Sequence, residues 1–168
     1  MGSLNLSATF DVVNIDLLIA RLTTLGLPSD WMDLIKAWLR DRSAFVEVSS
    51  GCLMLFDLDI GTVQGSILCP VHFSLFVSPV FDSNNIIAYA DDTYIITSAR
   101  SKDAVVKEVG EALAAVSLWF KNSGLKVNDG KTEVAIFNKN NCNPEDVTVN
   151  GVMIRTKNTI RGFKGLKL

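Results

Sequence analysis

Two adjacent carboxylates, Asp91 and Asp92, interrupt an apolar, β-branched stretch, Ile86-Ile-Ala-Tyr-Ala-Asp-Asp-Thr-Tyr-Ile-Ile-Thr97. This interruption constrains the fold more than any other feature of the chain. Ile, Thr and Tyr suit a pleated, half-buried surface, whereas Asp disfavours strand interiors and favours turns. The stretch therefore predicts a β-hairpin with an acidic tip. Carboxylates held side by side repel each other unless a cation lies between them, so a rigid turn of this kind is a natural cradle for a divalent metal. A solvated Asp-Asp turn is the plainer reading of the dipeptide alone, and the rest of the chain has to choose between them.

With 168 residues, 48% of them apolar and 20% charged, the chain has enough apolar surface for one buried core. The net charge of −2 is unevenly spread. Residues 139–168 hold 6 Lys/Arg and 2 Asp/Glu, which leaves 16−6 = 10 basic and 18−2 = 16 acidic groups in the other 138 residues. A basic segment of this kind can serve phosphates while an acidic body holds metal, or it can be a solvated end. Cys52, Cys69 and Cys142 are odd in number and widely spaced. They predict reduced thiols in an intracellular protein, cytoplasmic or nuclear, and no zinc site. The longest apolar run, Val71 to Phe81, is too short and too interrupted to span a membrane. Met1-Gly2-Ser3 is read only as a chain start.

Apolar residues at Ile15, Leu18, Ile19, Leu22 and Leu25 keep helical spacing up to Gly26 and Pro28. A second helix follows from an N-cap at Ser29, with Trp31, Leu34, Ile35, Trp38 and Leu39 as its apolar stripe. Ala44 to Val48 and Cys52 to Leu58 predict a strand pair, and Ser66 to Phe81 a helix buried on nearly every side and laid under a sheet, with Pro79 kinking or ending it. Ser101 caps a long amphipathic helix that ends at Gly124. Thr132 to Phe137 reads as a strand, Val147 to Ile154 as a hairpin turned at Asn150-Gly151, and Lys164 to Leu168 as a last strand. The order predicts an α+β fold, an antiparallel sheet with helices packed on one face.

Tyr89-Ala90-Asp91-Asp92 resembles the catalytic hairpin of reverse transcriptases. Gly61-Thr-Val-Gln64-Gly65-Ser66 with Leu68-Cys-Pro70-Val-His-Phe73 resembles the glutamine-glycine loop and helix that precede it. Leu118-Trp119-Phe120 through Gly124-Leu-Lys-Val-Asn128, then Lys131-Thr132 and Phe137, is similar to the next family motif. Trp38-Leu-Arg-Asp-Arg42 resembles the tract between the first motifs, and Gly165-Leu166 the start of the primer-grip pair. The Gln-Gly-Ser loop followed by Leu-x-Pro-x-x-Phe points to the non-LTR (LINE-type) retrotransposon branch. The resemblance implies a polymerase palm with a ferredoxin-like sheet over residues 1–168, without fingers or thumb.

It also implies an activity. Reverse transcriptases are RNA-directed DNA polymerases that add deoxynucleotides to a DNA primer on an RNA template by a two-metal displacement with Mg²⁺ (or Mn²⁺). By this resemblance Asp91 and Asp92 are metal ligands, the Leu6 carbonyl is a further ligand, and Tyr89 lies near the primer end. Phe10 matches the bulky residue that excludes a 2′-hydroxyl, Gln64 and Gly65 match the loop that touches the incoming dNTP, and Lys131 matches a general acid for pyrophosphate departure. Each also has an ordinary reading: Phe10 as a buried aromatic, Tyr89 as a strand residue, Gly65 as a turn and Lys131 as a surface cation.

One position departs from the pattern in charge. Where the family has Asp-Leu-Ser-Lys-Ala-Phe-Asp, this chain has Asn5-Leu-Ser-Ala-Thr-Phe-Asp11, so a neutral amide stands at a metal-ligand position. Val63, Cys69 and Ser78-Pro79 depart from the family as well. The expectation is an impaired polymerase, with a non-catalytic remnant that binds nucleic acid or protein as the alternative.

Overall fold

The computed structural model describes residues 1–47, 53–82, 85–137, 146–149 and 151–157. The chain divides into two compact units, one made of Met1–Ser7 with Pro79–Leu168, the other of Ala8–Ser78.

The first unit is built on β1 (Gly2–Ser7), which is buried along almost its whole length. The acidic hairpin forms as predicted, from β4 (Ile86–Tyr89) and β5 (Asp92–Ile95). β5 pairs antiparallel with β1, and β1 pairs on its other side with β6 (Lys126–Val127) and β7 (Glu133–Val134). β1 is thus the centre of the sheet, although its residues by themselves show only a chain start and a motif. The predicted strand from Thr132 shortens to two residues. One 21-residue helix, α4 (Lys102–Asn122), packs on this sheet; Ser101 caps it, its Oγ accepting from the Ala104 amide at 3.3 Å. Val109, Leu113, Val116 and Phe120 carry its buried stripe. A Cβ on Gly2 would lie 2.8 Å from the Leu113 side chain, so β1 and α4 approach closely because Gly2 has no side chain. The hairpin of β8 (Asp146–Val149) and β9 (Val152–Arg155) also lies against α4, its Val147 meeting Gly110.

The second unit holds α1 (Ile15–Thr24), α2 (Ser29–Leu39), α3 (Leu68–Val77) and the ribbon of β2 (Arg42–Glu47) and β3 (Leu53–Leu58). α1 packs against both α2 and α3. Pro79 ends α3 early, as predicted, and Ser78–Asp82 continues as a 3-10 turn. Two readings are corrected. Ser29 lies inside α2 and Pro28 holds the N-cap, its carbonyl accepting from Met32 at 3.0 Å. The apolar residues of α2 and α3 are also not all buried: Met32, Ile35 and Leu39 are, but Trp31 and Leu34 are 62% and 63% exposed, and Leu68 and Val71 are exposed too. Apolar content alone cannot say which side of a short helix meets a neighbour. The predicted strand at residues 164–168, most of the basic segment, Cys52 and Cys142 lie outside the described residues.

Candidate active site

The tip of the acidic hairpin is a two-residue turn, Ala90-Asp91, between the paired Tyr89 and Asp92. Asp91 therefore lies in the turn and Asp92 opens β5. Ala90 takes φ +51°, a left-handed conformation that costs an L-residue about 1–2 kcal/mol. The turn is tied to the central strand by the Leu6 amide, which donates to the Asp91 carbonyl at 2.9 Å.

Register brings the third residue of the site into place. Asn5 is the cross-strand partner of Asp92, although 87 positions separate them. Its side chain is 9% exposed. Its Nδ2 donates to Asp92 Oδ1 at 2.7 Å and to Asp91 Oδ2 at 3.1 Å. A single amide therefore supplies both protons that neighbouring carboxylates need to sit together, the place a cation would otherwise take. The opposite atom, Asn5 Oδ1, is buried without a hydrogen-bond partner among the described residues. Turning the amide over would aim that oxygen at two carboxylates, which is unfavourable unless a cation stands between them.

This donor set can be tested against metal chemistry. Two carboxylates and one amide oxygen carry −2, and among the described residues no group of three or more His, Cys, Asp or Glu side chains could hold a metal ion. Such a set suits a single cation after the amide turns over. A pair of dications here would have two protein carboxylates, Asp91 and Asp92, and would draw the rest of its anionic oxygen from substrate phosphates.

The remaining site residues of this unit, Tyr89 and Lys131, lie on segments next to the clamp, and their side chains make no hydrogen bond to it among the described residues. Tyr89 is 83% exposed on β4. Lys131 ends the 3-10 turn Asp129–Lys131 and is exposed. That turn is pinned to β1, since the Asn128 amide donates to the Asn5 carbonyl at 2.8 Å. Sequence reasoning missed Tyr94 and Glu133, both buried and both opposite Ser3 in the sheet. Burial first, then the charges of Asp92, Asp91 and Glu133, raise the Tyr94 phenol above its ordinary pKa of 10.0. The alternation of Tyr94 with Asp92 along β5 was the available signal. Glu133 pairs with Lys157 at 2.7 Å.

The other candidate residues belong to the second unit. Phe10 packs edge-on against Phe73, ring centroids 5.3 Å apart, so it is half-buried rather than free. Its carbonyl accepts from the Thr62 amide at 2.8 Å, and the Gly61 amide donates to the Val13 carbonyl at 2.8 Å. Gly61, at φ +83°, lets the loop lie against Asp11, where a Cβ would come within 2.8 Å of the Asp11 carbonyl oxygen. Arg42 fixes the same loop, its guanidinium donating to the carbonyls of Leu39, Ile60 and Gly61 at 2.7, 3.1 and 2.6 Å. Gln64 and Gly65 are exposed beyond it, and Gln64 Nε2 donates to Asp11 Oδ1.

The reverse transcriptase (RNA-dependent DNA polymerase) family matches residues 1–160. The chain belongs to the reverse transcriptase family. It is 29% identical over 132 residues to the RNA-directed DNA polymerase from mobile element jockey of Drosophila melanogaster, covering 73% of this chain and 14% of that protein. It is 26% identical over 151 residues to the Probable RNA-directed DNA polymerase from transposon BS of the same organism, covering 84% of this chain and 17% of that one. The chain thus spans less than a fifth of the length of either relative. Telomerase structures share its fold: that from Candida albicans in complex with a telomeric RNA fragment, with a TM-score of 0.62 at 14% identity over 94% of this chain and 30% of the other, and a truncated apo form from Candida tropicalis, with 0.61 at 17% over 94% and 34%. The α+β palm fold expected of a reverse transcriptase is therefore present. The mobile-element relatives agree with the non-LTR branch read from the Gln-Gly-Ser loop.

Proposed function

We propose that this chain is the palm of a non-LTR-type RNA-directed DNA polymerase in which nucleotidyl transfer is severely impaired. One observation carries the reading: the Asn5 amide occupies the cross-strand position opposite Asp92 and donates to both hairpin carboxylates. Losing one anionic ligand costs stabilisation of charge in the transition state, where each 1.4 kcal/mol is about tenfold in rate.

In this reading the other residues keep their roles. Phe10, braced by Phe73, stands where a 2′-hydroxyl would clash. Gln64 and Gly65, on the loop that Arg42 fixes, touch the incoming dNTP. Tyr89 presents its exposed ring to the primer end, and Lys131 supplies a proton to the departing pyrophosphate. Template RNA and primer DNA are the partners.

Primer extension on an RNA template, in Mg²⁺ and in Mn²⁺, tests the reading by comparing the protein with its Asn5→Asp variant. A gain of extension in the variant is expected. Extension by the unmodified protein at the variant's rate would overturn the assignment of Asn5. The amide clamp also supports a second reading, a non-catalytic domain that binds nucleic acid or protein. Salt-dependent binding to template-primer with both proteins silent in extension would favour it.

A further inference from the structure

α3 carries two buried residues one turn apart, Cys69 and Phe73. Residues at i and i+4 share a helix face, and this face meets Phe10. The Phe73 ring lies edge-on to the Phe10 ring, with centroids 5.3 Å apart. Cys69 reaches the main chain of the same residue through Thr62. Its Sγ lies 2.9 Å from Thr62 Oγ1, and Thr62 Oγ1 lies 3.4 Å from the Phe10 carbonyl oxygen, which also accepts from the Thr62 amide at 2.8 Å.

The direction of these bonds follows from the atoms. A carbonyl oxygen can only accept, so the Thr62 hydroxyl gives its proton to Phe10 and offers a lone pair to the thiol. The Cys69 S–H is then the donor that completes the chain. Thr62 is 5% exposed and Cys69 4%, so water does not compete for either group. Phe10 is therefore held at its main chain and at its ring by one face of α3. A side chain that refuses a 2′-hydroxyl by collision refuses it only as strictly as it resists moving aside, because an apolar wall that yields cannot reject one added hydroxyl strongly.

We propose that Thr62 and Cys69, with Phe73, are positioning residues for Phe10, and that this tether sets how strictly the site refuses a ribonucleotide. The inference rests on the reading of Phe10 as the residue that excludes a 2′-hydroxyl.

The test reads nucleotide binding, which does not need the chemical step. The whole chain, with an RNA template and a DNA primer ending in a dideoxynucleotide, is titrated in Mg²⁺ with the next complementary dNTP and, separately, with the matching NTP, followed by the backbone amide resonances of Phe10 and Thr62. The unmodified protein should bind the dNTP more tightly. In Cys69→Ala and in Thr62→Val the ratio of NTP to dNTP affinity should rise about fivefold, the worth of one neutral hydrogen bond, and the Thr62 amide should exchange faster. Cys69→Ser, which returns a donor to the same place, should restore the unmodified ratio. Thr62→Val keeps the shape of the side chain and carries the test if Cys69→Ala fails to fold. The proposal is overturned if the ratio stays at its unmodified value in the folded variants, including the case where both affinities fall together, as lost packing alone would give. An unmodified protein that binds dNTP and NTP equally, or neither, overturns the reading of Phe10 and the proposal with it, a result seen before any variant is made.

Discussion

Replacing Asn5 by Asp should convert the hairpin from a hydrogen-bonded clamp into a cation-dependent one. The substitution removes both protons that Asn5 Nδ2 donates, at 2.7 and 3.1 Å, and puts a third carboxylate in their place. Hydrogen bonds to charged groups contribute about 1.5–3 kcal/mol each, and the low end applies because Asp91 and Asp92 are only half-buried. Two such bonds give about 3 kcal/mol. Repulsion adds to that, since like charges about 4 Å apart at an effective dielectric of 20 interact by up to about 4 kcal/mol before salt screening. A loss of at least about 3 kcal/mol in EDTA corresponds to roughly 6–12 °C in melting temperature for a chain of this size. Mn²⁺ at about 100 times its dissociation constant should return about 2.7 kcal/mol to the variant. The unmodified protein should gain far less, because its amide already does the cation's work. Thermal unfolding of both proteins, in EDTA and in Mn²⁺ at low salt, makes the comparison. Equal melting temperatures in EDTA, or equal Mn²⁺ shifts, would refute the clamp.

Three further outcomes follow from the geometry. Gly61→Ala should lose about 3 kcal/mol in a denaturant titration, since a Cβ at φ +83° would also meet the Asp11 backbone at 2.8 Å; a change within about 0.5 kcal/mol would mean the loop is free to move. Arg42→Met should cost about 2 kcal/mol and speed hydrogen exchange at the Gly61 and Thr62 amides, by removing the donors to three carbonyls; unchanged exchange would show that the loop holds itself. Because the folded Tyr94 phenol titrates above 10.0, its contribution is complete below pH 10 and is lost as pH rises from there through the folded pKa. Tyr94→Phe should accordingly flatten the fall of melting temperature above pH 10, and an unaltered slope would rule out Tyr94 as its source.

Local chemistry is legible in the residues themselves. Apolar β-branched runs around Asp91-Asp92 define the hairpin, Ser101 and Gly124 bound α4, and Pro79 stops α3, each through an effect that acts within a few residues. That an amide stands where the resembling motif has a carboxylate was equally visible, because the motif order places Asn5 ahead of the loop and the hairpin. What Asn5 does was not. Ser3-Leu4-Asn5-Leu6-Ser7 alternates as a strand does, but alternation does not mark the centre of a sheet; β1 becomes central only because β5, β6 and β7 pair with it. That pairing sets the register of Asn5 against Asp92 and lets one amide bridge two acids distant in sequence. In the same way, the apolar faces of α2 and α3 were evident, but not which residues of each would stay exposed. Sequence determines which residues prefer burial or charge compensation. Only the tertiary structure decides which partner each one meets, because register and helix packing are set by contacts among residues far apart in the chain.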